Sequence, residues 1–228
     1  MRKGLILLWF GISISSAFSQ TLGFEAGLSN NIQNGHYIAP CGCTFAHGTG
    51  LGFNGNVFID LFTPTDFAIG MNSGVQRQQV TDYEVVPVTL QRLADGDEQE
   101  SHLTYLNIGP YVRYTIPSTA FFLRVMPEVQ YLLSSEFHHA SSMAEHQTTG
   151  KQTPMHSSTD DPNPVIDDLR KVRLGAKFSA GYDINVGSNI VSPVITYDLP
   201  LNTIRSNSTD DNWKISSFFG SVMFRFKL

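Results

Sequence analysis

Taken two residues at a time, the chain separates into oily and wet positions. In "VRLGAKFSAGYDINV" the even positions carry Val172, Leu174, Ala176, Phe178, Ala180, Tyr182, Ile184 and Val186, and the odd ones Arg173, Gly175, Lys177, Ser179, Gly181, Asp183 and Asn185. "LNIGPYVRYTI" divides the same way, with Leu106, Ile108, Pro110, Val112, Tyr114 and Ile116 against Asn107, Gly109, Tyr111, Arg113 and Thr115. "LGFNGNVFIDL" and "TLGFEAGLS" repeat the division. A period of two is the mark of a strand with one apolar face. It predicts eight segments: 21–30, 50–62, 66–80, 102–116, 120–134, 171–186, 189–204 and 214–228. No useful helical period interrupts them.

The connections alternate in length. "TPTD" (63–66), "PSTA" (117–120) and "GSN" (187–189) are short, whereas 31–49, 81–101, 135–170 and 205–213 are long. Tight turns at one end and long polar loops at the other are the pattern of a membrane barrel. The predicted fold is therefore all-β: an eight-stranded antiparallel up-and-down transmembrane β-barrel.

Alternation alone does not say which face is inside. A soluble lipocalin-like barrel would turn its apolar face inward around a ligand. Three features favour the opposite orientation. The wet face is rich in Gly and Ser, as a lumen closed by only eight strands requires. It also carries charges of both signs: Glu25, Asp60, Glu128, Asp183 and Asp198 against Arg113, Arg124, Arg173, Lys177, Arg225 and Lys227. Opposite charges facing one another across a narrow lumen can pair, which burial demands. Finally, Phe24, Tyr114, Phe121, Tyr131, Tyr182, Tyr197 and Phe224 fall towards strand ends, as interfacial aromatics do. Pro110, Pro127 and Pro193 lie inside predicted strands, where bulges are the expected remedy for the missing N–H. Beyond Val75, "QRQQVTDYEV" loses its oily face, as a strand rising above a bilayer would.

The first residues add a compartment. Arg2 and Lys3 precede the apolar run Leu5–Phe10, and Ala17-Phe18-Ser19 offers small residues for cleavage before Gln20. Residues 1–19 read as a signal peptide and 20–228 as the barrel domain. Formal net charge is −5, and removing that segment takes it to −7, with 13 basic and 20 acidic side chains left. Such a balance argues against a nucleic-acid partner. Two cysteines in an exported chain of 228 residues are too few for a disulfide framework. No later stretch approaches the ~20 apolar residues a spanning helix needs.

The closing segment "SSFFGSVMFRFKL" alternates to the end, with Phe218, Val222, Phe224, Phe226 and Leu228 on one face. Such a strand resembles the assembly signal of Gram-negative outer-membrane barrels, here ending in Leu228 with Phe226 two places before. Together with "AFSQ" and "FFGSVMFRF", the chain resembles the small outer-membrane β-barrels of the Bacteroidetes, the PorT-like group. The resemblance implies an outer-membrane location and carries over no catalytic residues.

Four places hold candidate chemistry. "HYIAPCGCTFAH" brings His36, Cys41, Cys43 and His47 together, ligand types that zinc or copper favours. A local Cys41–Cys43 disulfide and inert thiols are the competing readings. The third long loop collects Glu136, His138, His139, His146, His156, Asp160, Asp161, Asp167 and Asp168, where a His/Asp pair could activate water and where composition alone explains a solvated loop. "STDDPN" (158–163) and "STDDN" (208–212) offer oxygen ligands for calcium or a cation bridge to lipopolysaccharide, and read as well as solvated turns. The lumen charges are the fourth place, a structural filling or an ion path along Glu25, Arg124 and Glu128.

The expected function is that of a monomeric, non-enzymatic outer-membrane barrel with no cofactor and a charge-plugged lumen, since open pores need about 16–18 strands. It would act through its long extracellular loops in envelope structure, adhesion or as an accessory to a larger envelope machine. Outer-membrane lipid and lipopolysaccharide, the barrel assembly machinery and an envelope protein are the expected partners. A narrow channel or transporter and a rim-located hydrolase or acyltransferase are the alternatives.

Overall fold

A computed structural model describes residues 21–38, 44–62, 66–84, 98–140, 168–206 and 212–227. Within them one antiparallel sheet closes on itself. Its strands are β1 (Thr21–Asn34), β2 (His36–Ile38), β3 (Thr44–Phe62), β4 (Phe67–Glu84), β5 (Glu98–Thr115), β6 (Phe121–Ala140), β7 (Val172–Tyr182), β8 (Ile184–Val186), β9 (Asn189–Pro200) and β10 (Lys214–Lys227). Neighbours run β1-β10-β9-β7-β6-β5-β4-β3, and β3 pairs back to β1. Those eight strands are the staves. β2 is a short return against the start of β3, and β8 continues β7 past Asp183 in unchanged register against β9 (Gly181↔Val194, Ile184↔Val191).

Side-chain alternation sorts the two faces of this closed sheet. Leu28, Leu51 and Ile195 are 73%, 72% and 70% exposed on the outside, in a belt continued by residues such as Val57, Ile108, Val125 and Phe178. Glu25, Asn56, Asn107, Arg124, Lys177 and Ser221 are buried on the inside. Aromatic cross-strand pairs edge the belt. At the turn end Phe24 stacks on Phe224 at 4.7 Å, and Phe67 meets Tyr114 and Phe121 meets Tyr182 at 4.8 Å each. At the loop end Tyr197 lies 4.7 Å from Phe218.

The wall is uneven. β3 to β6 are 19, 18, 18 and 20 residues long, whereas β7, β9, β10 and β1 have 11, 12, 14 and 14. On β4 the outward positions run Phe67, Ile69, Met71, Ser73 and Val75, then turn polar at Arg77, Gln79 and Thr81. That stretch to Val75 matches the ~9–11 residues a strand needs to cross hydrocarbon. The long staves therefore rise above the belt. Hydrophobic alternation marks only the part in lipid, which is why the sequence placed these strand ends at 50, 80, 102 and 134 rather than 44, 84, 98 and 140.

The prolines behave differently from expectation. Pro110 and Pro127 lie across from each other on β5 and β6, where the ladder skips from Ile108↔Val129 to Val112↔Val125 without a register change. One gap accommodates both missing donors. Pro193 pairs with Val222 in an unbroken register. Irregularities fall elsewhere: between Ala46 and Thr49, where His47 has φ 63°, between Asp60 and Phe62, and at Leu133, passed over between Thr104↔Ser134 and Tyr105↔Leu132. The first and last exchange inward and outward parity, so Phe45 and Phe137 point inward beside even-numbered lumen residues on the same strands.

Candidate functional site

The lumen is filled in layers. Nearest the turn end, Asp183 accepts from Arg113 and forms an ion pair with Arg225 at 2.5 Å, while Ser192 donates to it at 2.7 Å. Asp60 accepts from the Tyr111 hydroxyl at 2.5 Å. Just above lies a knot of Phe58, Tyr111, Phe122, Met126, Val194 and Met223, with the Arg113 guanidinium 4.2 Å over the Phe122 ring.

The middle layer joins staves far apart in sequence. Arg124 of β6 meets Glu25 of β1 at 2.7 Å, and Ser221 of β10 donates to the other Glu25 oxygen at 2.7 Å. Arg124 also reaches Ser179, which accepts from Thr196 at 2.9 Å. One step up, Lys177 contacts Glu128 at 2.9 Å and donates to Gln76 at 2.9 Å, and Gln76 and Gln130 both donate to Asp198. Above them Arg173 donates to Gln78, lies 4.8 Å from the Tyr105 ring and has no carboxylate within salt-bridge distance among the described residues.

Of the eleven charges expected to face the lumen, nine are at most 6% exposed and Asp183 is half-buried; the Lys227 side chain lies outside the described residues. Pattern reading did not name Asn31, Gln76, Gln78, Tyr37, Asp82, Ile204 or Trp213. The β4 residues were reachable by continuing even parity past Val75. Trp213 gave no periodic signal.

The extracellular mouth is closed by apolar packing. Tyr37, Phe45, Val80, Leu103, Tyr105, Phe137, Ile204, Trp213 and Ile215 form one buried cluster. Part of it comes from the two described ends of the β9–β10 connection, 201–206 and 212–213, which meet as a strap: Ile204 N–H donates to Trp213 O at 2.9 Å, and Arg170 N–H to Ile204 O at 2.7 Å. Trp213 stacks on Tyr37 at 4.2 Å and donates its indole N–H to Gln33 at 2.8 Å.

Outside, just above the belt on the long staves, sits a polar cluster. Arg77 Nη2 lies 2.7 Å from His102 Nδ1, and His102 Nε2 lies 3.2 Å from Glu100, which also accepts from Gln79. A guanidinium only donates, so Nδ1 accepts and the imidazole proton sits on Nε2 facing Glu100. The His138 ring stands edge-on to His102 at 5.7 Å, and Glu136 is the register partner of His102.

The other sequence candidates are dispersed. His36 and His47 are exposed, and Cys41 and Cys43 lie outside the described residues. Among the described residues, no group of three or more His, Cys, Asp or Glu is placed to hold a metal ion. Glu136 and His138 belong to β6 rather than to a loop. The His139 side chain, His146, His156, Asp160, Asp161, Asp167 and all of 158–163 fall outside the described residues, whereas Asp168 is described, with φ 68°. From 208–212 only Asn212 is described, and its side chain accepts from the His36 N–H at 2.8 Å.

Residues 10–206 match the outer membrane protein beta-barrel domain family. Among solved structures, the chain is similar to Neisserial surface protein A (10% identity over 91% of this chain and 97% of that one, TM-score 0.38) and to the attachment invasion locus protein Ail of Yersinia pestis (10% identity, 92% and 99%, TM-score 0.39). It is also similar to the outer membrane protease OmpT of Escherichia coli (8% identity, 92% and 97%, TM-score 0.42). No curated protein matches the sequence. At such low identity the structural likenesses carry no functional argument.

Proposed function

This chain belongs to the outer membrane protein beta-barrel domain family, and from that premise we propose that it is a plugged, non-enzymatic barrel that works through its extracellular side. One observation carries the reading: at belt height five inward carboxylates (Glu25, Asp60, Glu128, Asp183, Asp198) face five inward cations (Arg113, Arg124, Arg173, Lys177, Arg225). A balanced, cross-linked filling stabilises closure, whereas a conduction path needs mobile water and a charge bias. What remains free to act is the raised rim and the loops above it, in envelope structure, adhesion or as an accessory to a larger machine.

The finer assignments are part of the same proposal. The alternating C-terminal strand supports placing the chain with the PorT-like barrels of the Bacteroidetes and supports delivery by the barrel assembly machinery as a monomer. Removal of residues 1–19 belongs to that export route. The Arg77–His102–Glu100 cluster stands where lipid headgroups begin, which supports contact with lipopolysaccharide phosphates, directly through Arg77 or through a divalent cation on Glu100 and Glu136.

Planar-bilayer recording of the purified full-length protein tests closure. The expected outcome is no steady unit current between −100 and +100 mV, where each 100 mV is worth about 2.3 kcal/mol to one elementary charge. Steady unit currents would replace this reading with the narrow-channel one.

A further inference from the structure

On the short staves the hydrocarbon belt is indented by a hollow of about 700 Å³. Register explains its shape. Leu28, Gly220, Ile195 and Ala180 lie side by side on β1, β10, β9 and β7, all facing outward. Leu28 and Ile195 therefore stand two strand spacings apart, about 9.5 Å, with no side chain between them. They are the walls and Gly220 is the floor, where an added Cβ would meet nothing within 4 Å. One row nearer the turns, Ala26, Val222 and Pro193 continue the lining. The barrel wall beneath is thin. On its inner side Gly27 lies against Ser221 and Gly181 against the Phe122 ring, where added Cβ atoms would stand 2.5 and 2.4 Å from those side chains. Phe122 and Val194 belong to the apolar knot, so the bulk that these staves lack outside is packed inside.

We propose that this hollow is a binding site for one acyl chain of a phospholipid from the periplasmic leaflet, which supplies the bulk that Ala26, Gly220 and Ala180 lack. Unfilled space beside protein forfeits dispersion contacts, and in the belt the filler at hand is hydrocarbon. Association between apolar surfaces inside a bilayer rests on such packing contacts. A chain between Leu28 and Ile195 touches protein on three sides rather than one, which separates a retained lipid from the exchanging lipid around it. The lining also gives the leaflet. It takes in Phe121 and Tyr182, the pair that edges the belt at the turn end, and among the described residues it stops short of Tyr197 and Phe218 at the loop end. Short turns face the periplasm in barrels of this kind, so the headgroup belongs to that side. The site rests on the barrel's place in the membrane and is independent of whether the lumen conducts.

Native mass spectrometry of full-length protein, extracted from outer membranes in mild detergent, tests the site. At a collision energy that strips exchanging lipid, the parent should keep one phospholipid per chain. Gly220→Leu fills the floor and should lower retention roughly tenfold, as a loss of about 1.4 kcal/mol of contacts would. Ala180→Leu should act the same way from the neighbouring row end. Ser73→Leu, which adds bulk to the outward face of β4 on the far wall, should leave retention unchanged. Delipidated parent offered dipalmitoyl phosphatidylethanolamine should regain the adduct, and lipopolysaccharide alone should not restore one. A parent that keeps no phospholipid, an adduct undiminished in Gly220→Leu, an equal loss in Ser73→Leu, or an adduct with the mass of lipopolysaccharide overturns the proposal. Should Gly220→Leu fail to show a heat-modifiable fold, Ala180→Leu decides by the same criteria. Adduct mass and unit current are separate readouts, so the lipid site and the closed lumen can each fail alone.

Discussion

The lumen at belt height and the lumen above it are closed by opposite means. Below, Glu25, Arg124, Lys177, Glu128 and Asp198 bridge staves that are distant in sequence, and each charge meets a partner supplied by another stave's inward face. Above, closure is aromatic and aliphatic, and its wedge comes from a connection rather than from a stave. The physical reason lies outside the barrel. Where hydrocarbon covers the outside, polar residues have only the inward face to go to, so apart from the knot around Phe122 and Met126 the interior is polar and has to neutralise itself. Where water bathes both sides of the wall, polar residues can leave for the outer face, as Arg77, Gln79 and Glu100 do, and the interior is free to become an ordinary apolar core.

The sharpest way to break this contrast is to unpair the middle layer. Arg124→Leu leaves Glu25, 2% exposed, with Ser221 as its remaining hydrogen-bond partner. The expected loss is about 3–5 kcal/mol in urea unfolding followed by heat modifiability, because removing one partner strands a buried charge. Adding Glu25→Gln should recover most of that loss, bringing the double variant to within about 1 kcal/mol of the parent, since a neutral pair no longer needs a cation. If Arg124→Leu alone unfolds within ~0.5 kcal/mol of the parent, the middle layer is hydrated rather than ion-paired.

The same contrast explains what could be read from the sequence. The belt-height staves were legible because lipid outside and charge inside impose a strict period of two, and their registers follow from it. Arg113, Arg124, Arg173, Lys177, Glu128 and Asp198 were assigned to the lumen by parity alone, and their side chains do face inward. Who meets whom was not legible: the Arg124–Glu25 contact depends on barrel stagger, which no single strand encodes. Above the belt the rule lapses. Irregularities at His47 and Leu133 exchange the faces, and Trp213 and Ile204 sit in a segment without period. The prolines misled for a related reason, because opposing Pro110 and Pro127 share one gap and no single-strand reading can see a partner across the sheet.

Loosening the upper plug should cost less and act locally. Ile204→Ala removes a buried side chain from a cluster that is strap on one side and stave on the other, so the strap can settle into part of the space. The expected cost is about 2 kcal/mol, the low end for such a truncation. It should appear as roughly 30-fold faster hydrogen exchange at the amide of residue 204, which donates to Trp213 O within the strap, with the urea midpoint of the staves unmoved. A matching fall in the global midpoint would mean that plug and staves unfold as one unit, and the division into two regions would lose its energetic content.

The smallest expected effect tests the outer boundary on which both regions depend. Gly220 is exposed on β10, and a Cβ there meets nothing within 4 Å. It borders an outward hollow of about 700 Å³ whose lining includes Ala26, Leu28, Ala180, Pro193 and Ile195. If that hollow opens to acyl chains, Gly220→Leu exchanges lipid contacts for side-chain contacts and should shift stability by no more than about 0.5 kcal/mol, as exposed substitutions do. A loss of about 2 kcal/mol or more in the same urea assay would place packed protein against that face. The belt would then no longer be the reason why the interior at this height is polar.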